Sequence, residues 1–325
     1  MNEEILRIEQ LETCFFTDDG ILNAVDGIDF FLREEETLGI VGESGCGKTV
    51  TALSIMRLLP ELSGRITKGK ILFKGTDLVT QTEDEMERIR GNRISMIFQE
   101  PMTSLNPVMR IGDQISEILV NHKKISKKEA RERAVELLKQ VEIPSPETRY
   151  RDYPHQLSGG MRQRAMIAMA MSCSPEIMIA DEPTTALDVT IQAQILDLLN
   201  QLKLDGRISI ILITHNLGVV AENAQRVIVM YTGKIMEQAR VKDLFSKPLH
   251  PYTLGLMKSL PGKDQGLIKM ERLEPIRGMV PDLLNLPQGC RFHPRCDFSS
   301  SICQQEDPPL KEIGPEHHVR CWKYS

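Results

Sequence analysis

The chain has 325 residues, of which 41% are hydrophobic and 26% are charged, and its formal net charge is −5. This composition is typical of a folded protein with a large core, and it excludes a disordered chain. The acidic balance disfavours a general nucleic-acid binder, so no nucleic acid is expected as a partner. Uncharged apolar stretches stay shorter than the roughly 18–20 residues that span a bilayer, and the first residues are acidic, which predicts a cytosolic protein.

The N-terminal segment, residues 5–33, is rich in β-branched and aromatic residues. It breaks at Asp18-Asp19-Gly20, which predicts two antiparallel strands joined by a turn. Phe15 and Phe16 lie just before that turn. The residues alone favour core packing for both aromatics over a stacking surface for a planar ligand.

The most informative stretch, residues 42–49, fits the pattern G-x-x-x-x-G-K-[ST]. It follows the apolar run 38–41, a predicted buried strand, and precedes helix-compatible residues 50–59. A strand, a glycine-rich loop and a helix in this order are typical of a phosphate-binding loop. The candidate nucleotide-binding residues are Gly42, Glu43, Ser44, Gly45, Cys46, Gly47, Lys48 and Thr49.

The residue types of this loop suit a nucleoside triphosphate with its Mg²⁺. The glycines allow a tight turn, so that successive N–H groups and the helix N-terminus point at the phosphates. Lys48 is expected to reach the β- and γ-phosphates, and the Thr49 hydroxyl is expected to ligate Mg²⁺.

Residues from about 100 to 157 are predicted to form a mostly helical insert. The alternating strand 94–98 ends at Gln99, and prolines after it predict a loop. A capping-box spacing at Ser126 opens an amphipathic helix. After the insert, Ser158, Gly159 and Gly160 begin another helix, whose N-terminus is a second candidate phosphate-binding position.

Two later apolar strands run into polar residues. Strand 177–180 ends in Asp181 and Glu182, and strand 208–213 is followed shortly by His215. The carboxyl edge of a parallel sheet is where ligands bind in α/β folds. Asp181 is therefore predicted to hold Mg²⁺, Glu182 to polarise water, and His215 to act at the same edge. The alternation of strands and helices predicts a doubly wound α/β sheet.

Four of the seven cysteines lie near the C-terminus, at Cys290, Cys296, Cys303 and Cys321. They lack the close C-x2–4-C pairs of structural zinc sites, so the spacing favours a [4Fe–4S] cluster. Zinc, disulfides and free thiols remain alternatives, and His293, His317 and His318 keep a mixed-ligand zinc site open. The flanking arginines Arg291, Arg295 and Arg320 are expected to offset a cluster's negative charge. The predicted role is a structural staple for a proline-rich tail with little core of its own.

Together these motifs resemble the ATP-binding cassette (ABC) ATPases, a family with an α/β P-loop NTPase fold. The resemblance implies a parallel core sheet, an antiparallel β subdomain, a helical insert and a small Cys-containing C-terminal extension. It rests on residues 42–49, Gln99, residues 157–160, residues 177–182, Asp188 in a D-loop-like Thr185–Asp188 segment, and His215. Met161 stands where the family usually has glutamine. That departure, the stretch 100–107, His250-Pro251-Tyr252 and the cysteine-bearing tail resemble the ATPases of dipeptide and oligopeptide importers.

The resemblance implies a role for each site residue. Two cassettes close around two ATP molecules, each held between the phosphate loop of one and the Ser-Gly-Gly loop of the other. Glu182 looks like the general base, His215 like a γ-phosphate switch, and Gln99 like a Mg²⁺ and water ligand. Asp188 would signal across the dimer, and Phe15 matches the aromatic that stacks on adenine.

The implied partners are a second ABC ATPase subunit (a similar chain or a second copy), two transmembrane permease subunits and, indirectly, an extracellular peptide-binding protein. The chain would then sit peripherally at the cytoplasmic face of the membrane, with an ATPase domain at 1–245 and an extension at 246–325. The sequence leaves open a nickel or oligosaccharide importer and a soluble ABC ATPase acting on DNA or ribosomes. A non-hydrolysing regulatory cassette is disfavoured by the intact Lys48, Asp181, Glu182 and His215.

Overall fold

The computed structural model describes residues 3–185, 187–259 and 276–325. The strands in these ranges are β1 (Glu4–Thr17), β2 (Gly20–Arg33), β3 (Thr37–Val41), β4 (Gly64–Phe73), β5 (Thr76–Asp77), β6 (Ile94–Ile97), β7 (Ile177–Asp181), β8 (Ser209–Thr214), β9 (Arg226–Tyr231), β10 (Lys234–Arg240), β11 (Leu310–Gly314) and β12 (His317–Arg320). The helices in the same ranges are α1 (Lys48–Met56), α2 (Glu83–Ile89), α3 (Pro101–Ser104), α4 (Ile111–Lys123), α5 (Lys127–Gln140), α6 (Pro146–Arg149), α7 (Gly159–Met171), α8 (Val189–Gly206), α9 (Leu217–Asn223), α10 (Val241–Ser246), α11 (Pro251–Lys258) and α12 (Ser301–Gln305).

The described chain forms two compact units that interleave along the sequence. The first contains the residues up to Ile5, Leu32–Glu36 and Thr80–Ile213. The second contains Leu6–Phe31, Thr37–Val79 and the described residues from Thr214 onward. The C-terminal extension is therefore part of the same unit as the glycine-rich loop. The division at residue 245 stays a prediction about domains.

In the second unit, strands β2, β1, β4 and β5 form an antiparallel sheet in that order. Inward side chains of β1 and β2, such as Leu6, Leu11, Val25 and Ile28, are buried. The predicted β-rich N-terminal segment with a turn at residues 18–20 is confirmed.

The same unit holds a second run of paired strands that carries the glycine-rich loop. Strand β3 is buried at all five positions and pairs in parallel with β9. Strand β9 pairs antiparallel with β10 to form a hairpin. That hairpin does not end the sheet, because β12 of the extension pairs antiparallel with β10, and β11 pairs with β12.

The extension shares a core with the strands that it joins. Tyr231 of β9, Tyr252 of α11 and Phe292 are buried together, with ring centroids 4.7–5.4 Å apart. Aromatic rings at these separations attract one another in addition to removing apolar area from water. The tail therefore packs against residues of β9 and α11 and shares their hydrophobic core.

The first unit contains three parallel strands and the helical insert. Strands β6, β7 and β8 pair in parallel and are buried along their lengths. The unbroken apolar runs of β7 and β8 predicted this burial, whereas β6 was predicted to alternate and is instead buried at all four positions. Helices α3 to α6 lie between residues 101 and 149, which confirms a mostly helical insert. On α5, Ala130, Ala134 and Leu138 form the buried stripe, and Ser126 caps the helix by accepting the N–H of Glu129. Among the described residues, no helix combines the length and the apolar character needed to cross a membrane.

Candidate functional site

The glycine-rich loop joins the buried strand β3 to helix α1. Gly42, Gly45 and Gly47 all have positive φ, and Ser44 and Gly45 are exposed at the loop's tip. Of the described residues, none places a side chain as a cap on the N-terminus of α1. The first N–H groups of the helix are thus not occupied by a capping side chain, which is the condition for binding an anion there.

Two of the glycines are required by close backbone contacts. A Cβ at Gly42 would lie 2.2 Å from the carbonyl oxygen of Met230, and one at Gly47 would lie 2.4 Å from that of Ala24. Neither backbone atom can move aside as the end of a flexible side chain can. The tight turn of the loop therefore depends on both glycines, in addition to their positive φ.

Lys48 is folded back onto the loop. Its Nζ donates to the carbonyl oxygens of Gly42 at 2.8 Å and Glu43 at 3.1 Å, and the residue is only 4% exposed. Cys46 packs beside it with a buried thiol, whose pKa is raised by burial. The ammonium is held by two carbonyl dipoles. Thr49 follows at the helix start, half-buried.

The first unit brings Gln99 and Glu182 together. Gln99 Nε2 donates to Glu182 Oε2 at 3.2 Å, and the Thr185 hydroxyl donates to the same oxygen at 2.8 Å. Glutamine and glutamate are 83 positions apart in sequence, so this contact depends on the fold. Two donors orient the carboxylate while it remains only half-buried. Thr185 was not identified as a site residue from the sequence, although its place three residues after Glu182 is a usable signal.

The backbone at Glu182 adopts a left-handed conformation, with φ +45°. The preceding residue, Asp181, ends strand β7 and is 1% exposed, so the two carboxylates differ sharply in burial. The Glu182 N–H donates to the carbonyl oxygen of Ile213, which holds the turn against β8. Left-handed non-glycine residues are uncommon, and here the conformation sets the direction in which the chain leaves strand β7.

The predicted second helix start is confirmed at α7. Ser158 is its N-cap and accepts the N–H of Met161 at 3.3 Å, while Gly159 is exposed and Gly160 half-buried. Further along the same helix, the buried Arg164 donates to the carbonyl oxygen of Val141 at 2.8 Å and to Glu142 at 2.9 Å. These two contacts hold α7 against the helical insert, while the N-terminus of α7 stays exposed.

Asp188, predicted to signal between cassettes, is the N-cap of helix α8. Its Oδ1 accepts the N–H of Ile191 at 2.9 Å. Gln192 donates to the carbonyl oxygens of Thr184 and Leu187, at 3.1 and 3.0 Å, and so holds the segment between Glu182 and α8 in place. Gln192 was not predicted from the sequence, because a glutamine on an amphipathic helix has no local pattern that indicates these contacts.

His215 and Phe15 lie in the second unit, as does the glycine-rich loop. His215 is exposed, directly after strand β8. Phe15 is half-buried near the end of β1, with Gly64 opposite it on β4, and its neighbour Phe16 is 43% exposed. The roles of His215 and Phe15 stay predictions.

The four C-terminal cysteines line one cavity of about 250 Å³. Its walls also include Phe292, His293 and Trp322. Burial raises the pKa of Cys290 to about 11 and also raises the pKa of the thiols of Cys296 and Cys321. Across the parts of the chain that the structure describes, no three His, Cys, Asp or Glu side chains are arranged so as to hold a metal ion.

Two of the histidines considered for zinc have other partners. His317 Nε2 lies 2.7 Å from an oxygen of Glu237, which is fully buried and also accepts the N–H groups of Leu249 and His250. His293 Nδ1 lies 2.9 Å from the carbonyl oxygen of Cys290, although its ring borders the cavity. The tie to Glu237 disfavours a zinc site that uses His317.

Comparison with protein families gives two matches on this chain. Residues 25–185 match the family described as ABC transporter, and residues 236–303 match the oligopeptide/dipeptide transporter C-terminal region. A probable peptide ABC transporter ATP-binding protein of Sinorhizobium fredii is 53% identical over 98% of this chain and 95% of its own length. The oligopeptide transport ATP-binding protein AppD of Bacillus subtilis is 52% identical over 98% of this chain and 97% of its own length. The chain belongs to the ABC transporter ATP-binding proteins of the dipeptide and oligopeptide branch.

Solved structures agree with this membership. A dimeric bacterial ABC transporter cassette matches with a TM-score of 0.65 and 27% identity, over 73% of this chain and 98% of its own. The same cassette in a post-hydrolysis state bound to ADP and Pi gives the same values. The α/β P-loop NTPase fold predicted from sequence is thereby confirmed, and the chain is an ATP hydrolase of the ABC type. The C-terminal family match also covers Cys290, Cys296 and Cys303.

Proposed function

We propose that this ABC protein binds and hydrolyses ATP to energise a membrane importer for dipeptides or oligopeptides. The observation that supports this most is the match of residues 236–303 to the oligopeptide/dipeptide transporter C-terminal region, beyond the ATPase match at 25–185. Relatives named for peptide transport align over 98% of the chain. This favours an importer over a soluble ATPase acting on DNA or ribosomes.

In the proposed reaction, residues 42–49 hold the ATP phosphates, with Lys48 moving from the Gly42 and Glu43 carbonyls to the β- and γ-phosphates. Thr49, Gln99 and Asp181 would hold Mg²⁺, since hydroxyl, amide and carboxylate oxygens are the hard donors that this ion prefers. When bound, Mg²⁺ supplies charge neutralisation on the phosphates.

Glu182 is the proposed base that orients and deprotonates the attacking water. Thr185 and Gln99 hold its Oε2 at 2.8 and 3.2 Å, so its carboxylate has a fixed direction before substrate arrives. His215 would contact the γ-phosphate. Phe15 would stack on adenine, a role for which its half-buried ring leaves surface.

The proposed working form is a pair of cassettes. The exposed Ser158 and Gly159 at the start of α7 would meet the γ-phosphate of ATP bound to the partner cassette, and Asp188 would lie near the same junction. The dimeric relative supports this pairing. Two permease subunits and an extracellular peptide-binding protein complete the proposed importer, with the ATPase at the cytoplasmic face of the membrane.

Peptide uptake tests the transport proposal. Cells that lack this chain are expected to lose growth on a dipeptide or oligopeptide as the required amino-acid source, and to regain it with the wild-type gene. A gene carrying Glu182→Gln should not restore growth, although the protein is made. Normal peptide uptake in the deleted strain, with nickel or oligosaccharide uptake lost instead, would contradict a peptide substrate.

We further propose a [4Fe–4S] cluster on Cys290, Cys296, Cys303 and Cys321. Support comes from the four thiols lining one cavity of about 250 Å³, whose walls also include Phe292 and Trp322. Soft thiolate donors suit iron–sulfur clusters and also zinc. The thiols surround the cavity, with no three of the described side chains arranged for a metal ion, so binding would draw them inward. The cluster would act as a structural staple.

An absorbance and metal assay of protein purified without oxygen tests the cluster. We expect broad visible absorption together with iron and acid-labile sulfide. The variant Cys303→Ser should lose both. Cys14→Ser should keep them, because Cys14 lies in β1, where its thiol contacts Asn23 and Thr67. A colourless sample with one zinc per chain, or with neither metal, would contradict an iron–sulfur site and leave the ATPase assignment intact.

A further inference from the structure

Glu43, inside the phosphate-binding loop, is held through three different groups. Its N–H donates to the Tyr252 hydroxyl at 2.9 Å. Its carboxylate accepts from both terminal nitrogens of Arg295, at 2.7 and 3.0 Å. Its carbonyl oxygen accepts from Lys48 Nζ at 3.1 Å. Two of these partners come from the C-terminal extension, more than 200 positions away in sequence.

The Arg295 guanidinium has a fixed direction. Its side chain is 4% exposed, and its Nε donates to the carbonyl oxygen of Arg277 at 3.0 Å. Its Nη1 also lies 3.3 Å from the Tyr231 hydroxyl. A buried guanidinium needs a carboxylate partner, and a bidentate pair restricts geometry as well as adding energy. That carboxylate belongs to Glu43, so a residue of the loop neutralises the buried Arg295 of the extension.

Tyr252 is equally constrained. The residue is fully buried, and its ring lies 4.7 Å from that of Tyr231 and 5.4 Å from that of Phe292, centroid to centroid. Its N–H donates to His250 Nδ1, which caps the start of α11. The His250-Pro251-Tyr252 sequence therefore places one hydroxyl, at the end of a rigid ring, against the backbone of Glu43.

A second contact supports the loop from another direction. Arg291 donates to the carbonyl oxygen of Thr232 and pairs with Asp26. Beside Thr232, the N–H of Gly233 donates to the carbonyl oxygen of Cys46 in the loop at 2.9 Å. The extension thus contacts the phosphate-binding loop directly at Glu43 and, through the β9–β10 turn, near Cys46.

We propose that Arg295 and Tyr252 are positioning residues for nucleotide binding. By fixing the backbone and side chain of Glu43, they hold the loop and the Lys48 ammonium in the arrangement that receives a triphosphate. This inference rests on the proposed role of residues 42–49 as the ATP site. It assigns the C-terminal extension a part in ATP affinity, separate from any metal at the cysteines.

Nucleotide affinity of two variants tests the inference. Tyr252→Phe removes one oxygen and keeps the ring packing, and Arg295→Gln removes the charge. We expect Kd and KM for ATP to rise roughly 3- to 10-fold in each, the scale of one or two lost hydrogen bonds acting through another residue. Because these contacts support bound ATP equally in the ground state and in the transition state, kcat at saturating ATP should stay within about twofold. Unchanged Kd and KM in folded Tyr252→Phe would overturn the proposal.

The matched control is Arg320→Gln. Arg320 also lies in the extension and donates to two backbone carbonyls, those of Ile235 and Pro308, both at 3.0 Å, but not to the loop. It should lower the thermal midpoint without raising Kd. An equal rise in Kd in this control would show that any destabilisation of the extension weakens ATP binding, and it would overturn the proposal.

The variant Lys48→Ala distinguishes failure of this inference from failure of the proposed ATP site. If Lys48→Ala also binds ATP normally, the ATP site itself is misassigned. Normal binding in the Tyr252 and Arg295 variants alone overturns only the positioning role.

Hydrogen exchange in the extension gives an independent test, because coupling between two sites is equal in both directions. If the extension favours the ATP-binding form of the loop, ATP must stabilise the extension by the same free energy. Hydrogen exchange in peptides spanning residues 290–303 should slow when a non-hydrolysable ATP analogue is added to the wild-type protein. That protection should be lost in Arg295→Gln. If hydrogen exchange in residues 290–303 of the wild-type protein is the same with and without the nucleotide, the proposed coupling is wrong.

Discussion

Glu182→Gln is expected to lower ATP hydrolysis by roughly 10²- to 10⁴-fold, the range for loss of a positioned base. Glutamine has nearly the same shape and can still accept the Thr185 hydroxyl, which lies 2.8 Å from Glu182 Oε2. It cannot take a proton from water at neutral pH. ATP binding should therefore persist while turnover stops, as measured by phosphate release and by equilibrium nucleotide binding on the same sample.

The control for this variant is Glu176→Gln, just before the opposite end of strand β7. Glu176 forms a half-exposed ion pair with Arg93 at 2.7 Å, of a kind whose loss costs about 1 kcal/mol or less. Its hydrolysis rate should match that of the wild type. Near-normal turnover in Glu182→Gln would remove Glu182 from the reaction. If cassettes pair around ATP, Glu182→Gln should also accumulate as a dimer when ATP is present, which size-exclusion chromatography can detect.

Lys48→Ala is expected to weaken ATP binding itself, by about 10- to 100-fold for a lost charge-assisted contact to phosphate. The structure adds a second cost. Lys48 Nζ donates to the carbonyl oxygens of Gly42 and Glu43, at 2.8 and 3.1 Å, so its removal also takes an internal support from the loop. Equilibrium binding of a fluorescent ATP analogue measures the loss.

Lys68→Ala removes the same charge from an exposed position, where the side chain is 61% exposed and pairs with Glu12 at 3.1 Å. It should bind ATP as the wild type does. Equal affinity in both lysine variants would show that Lys48 does not contact the phosphates. A loss confined to Lys48→Ala, together with intact binding in Glu182→Gln, separates substrate binding from the chemical step.

The sequence predicts this fold well where local pattern and burial agree. Strands β3, β7 and β8 are short apolar runs because both faces of a parallel strand are covered, and each is followed by polar or glycine residues that belong at the sheet edge. Ser126 and Ser158 are the N-caps of helices α5 and α7, and their side chains accept helix N–H groups. These signals lie within a few residues of the structures that they predict.

The extension is where sequence patterns were least informative. Strand β12 is only four residues long and lies in a segment rich in charged residues, yet it pairs with β10. Its partner strand is far away in sequence, so no local periodicity indicates the pairing. Likewise, a glutamate such as Glu237 would be expected at the surface from the sequence. It is buried because its carboxylate contacts the N–H groups of Leu249 and His250 and the ring of His317.

The phosphate-binding loop, the order of the family's motifs and the resemblance itself could be predicted from the sequence, because each depends on residue types at short, fixed spacing. The left-handed backbone of Glu182, its contact with Gln99 and the hydrogen bonds of Arg295 and Tyr252 to Glu43 were found only in the folded protein. A hydrogen bond between groups 83 or 252 positions apart forms only where packing brings two elements together, and the residue types alone do not show which elements meet.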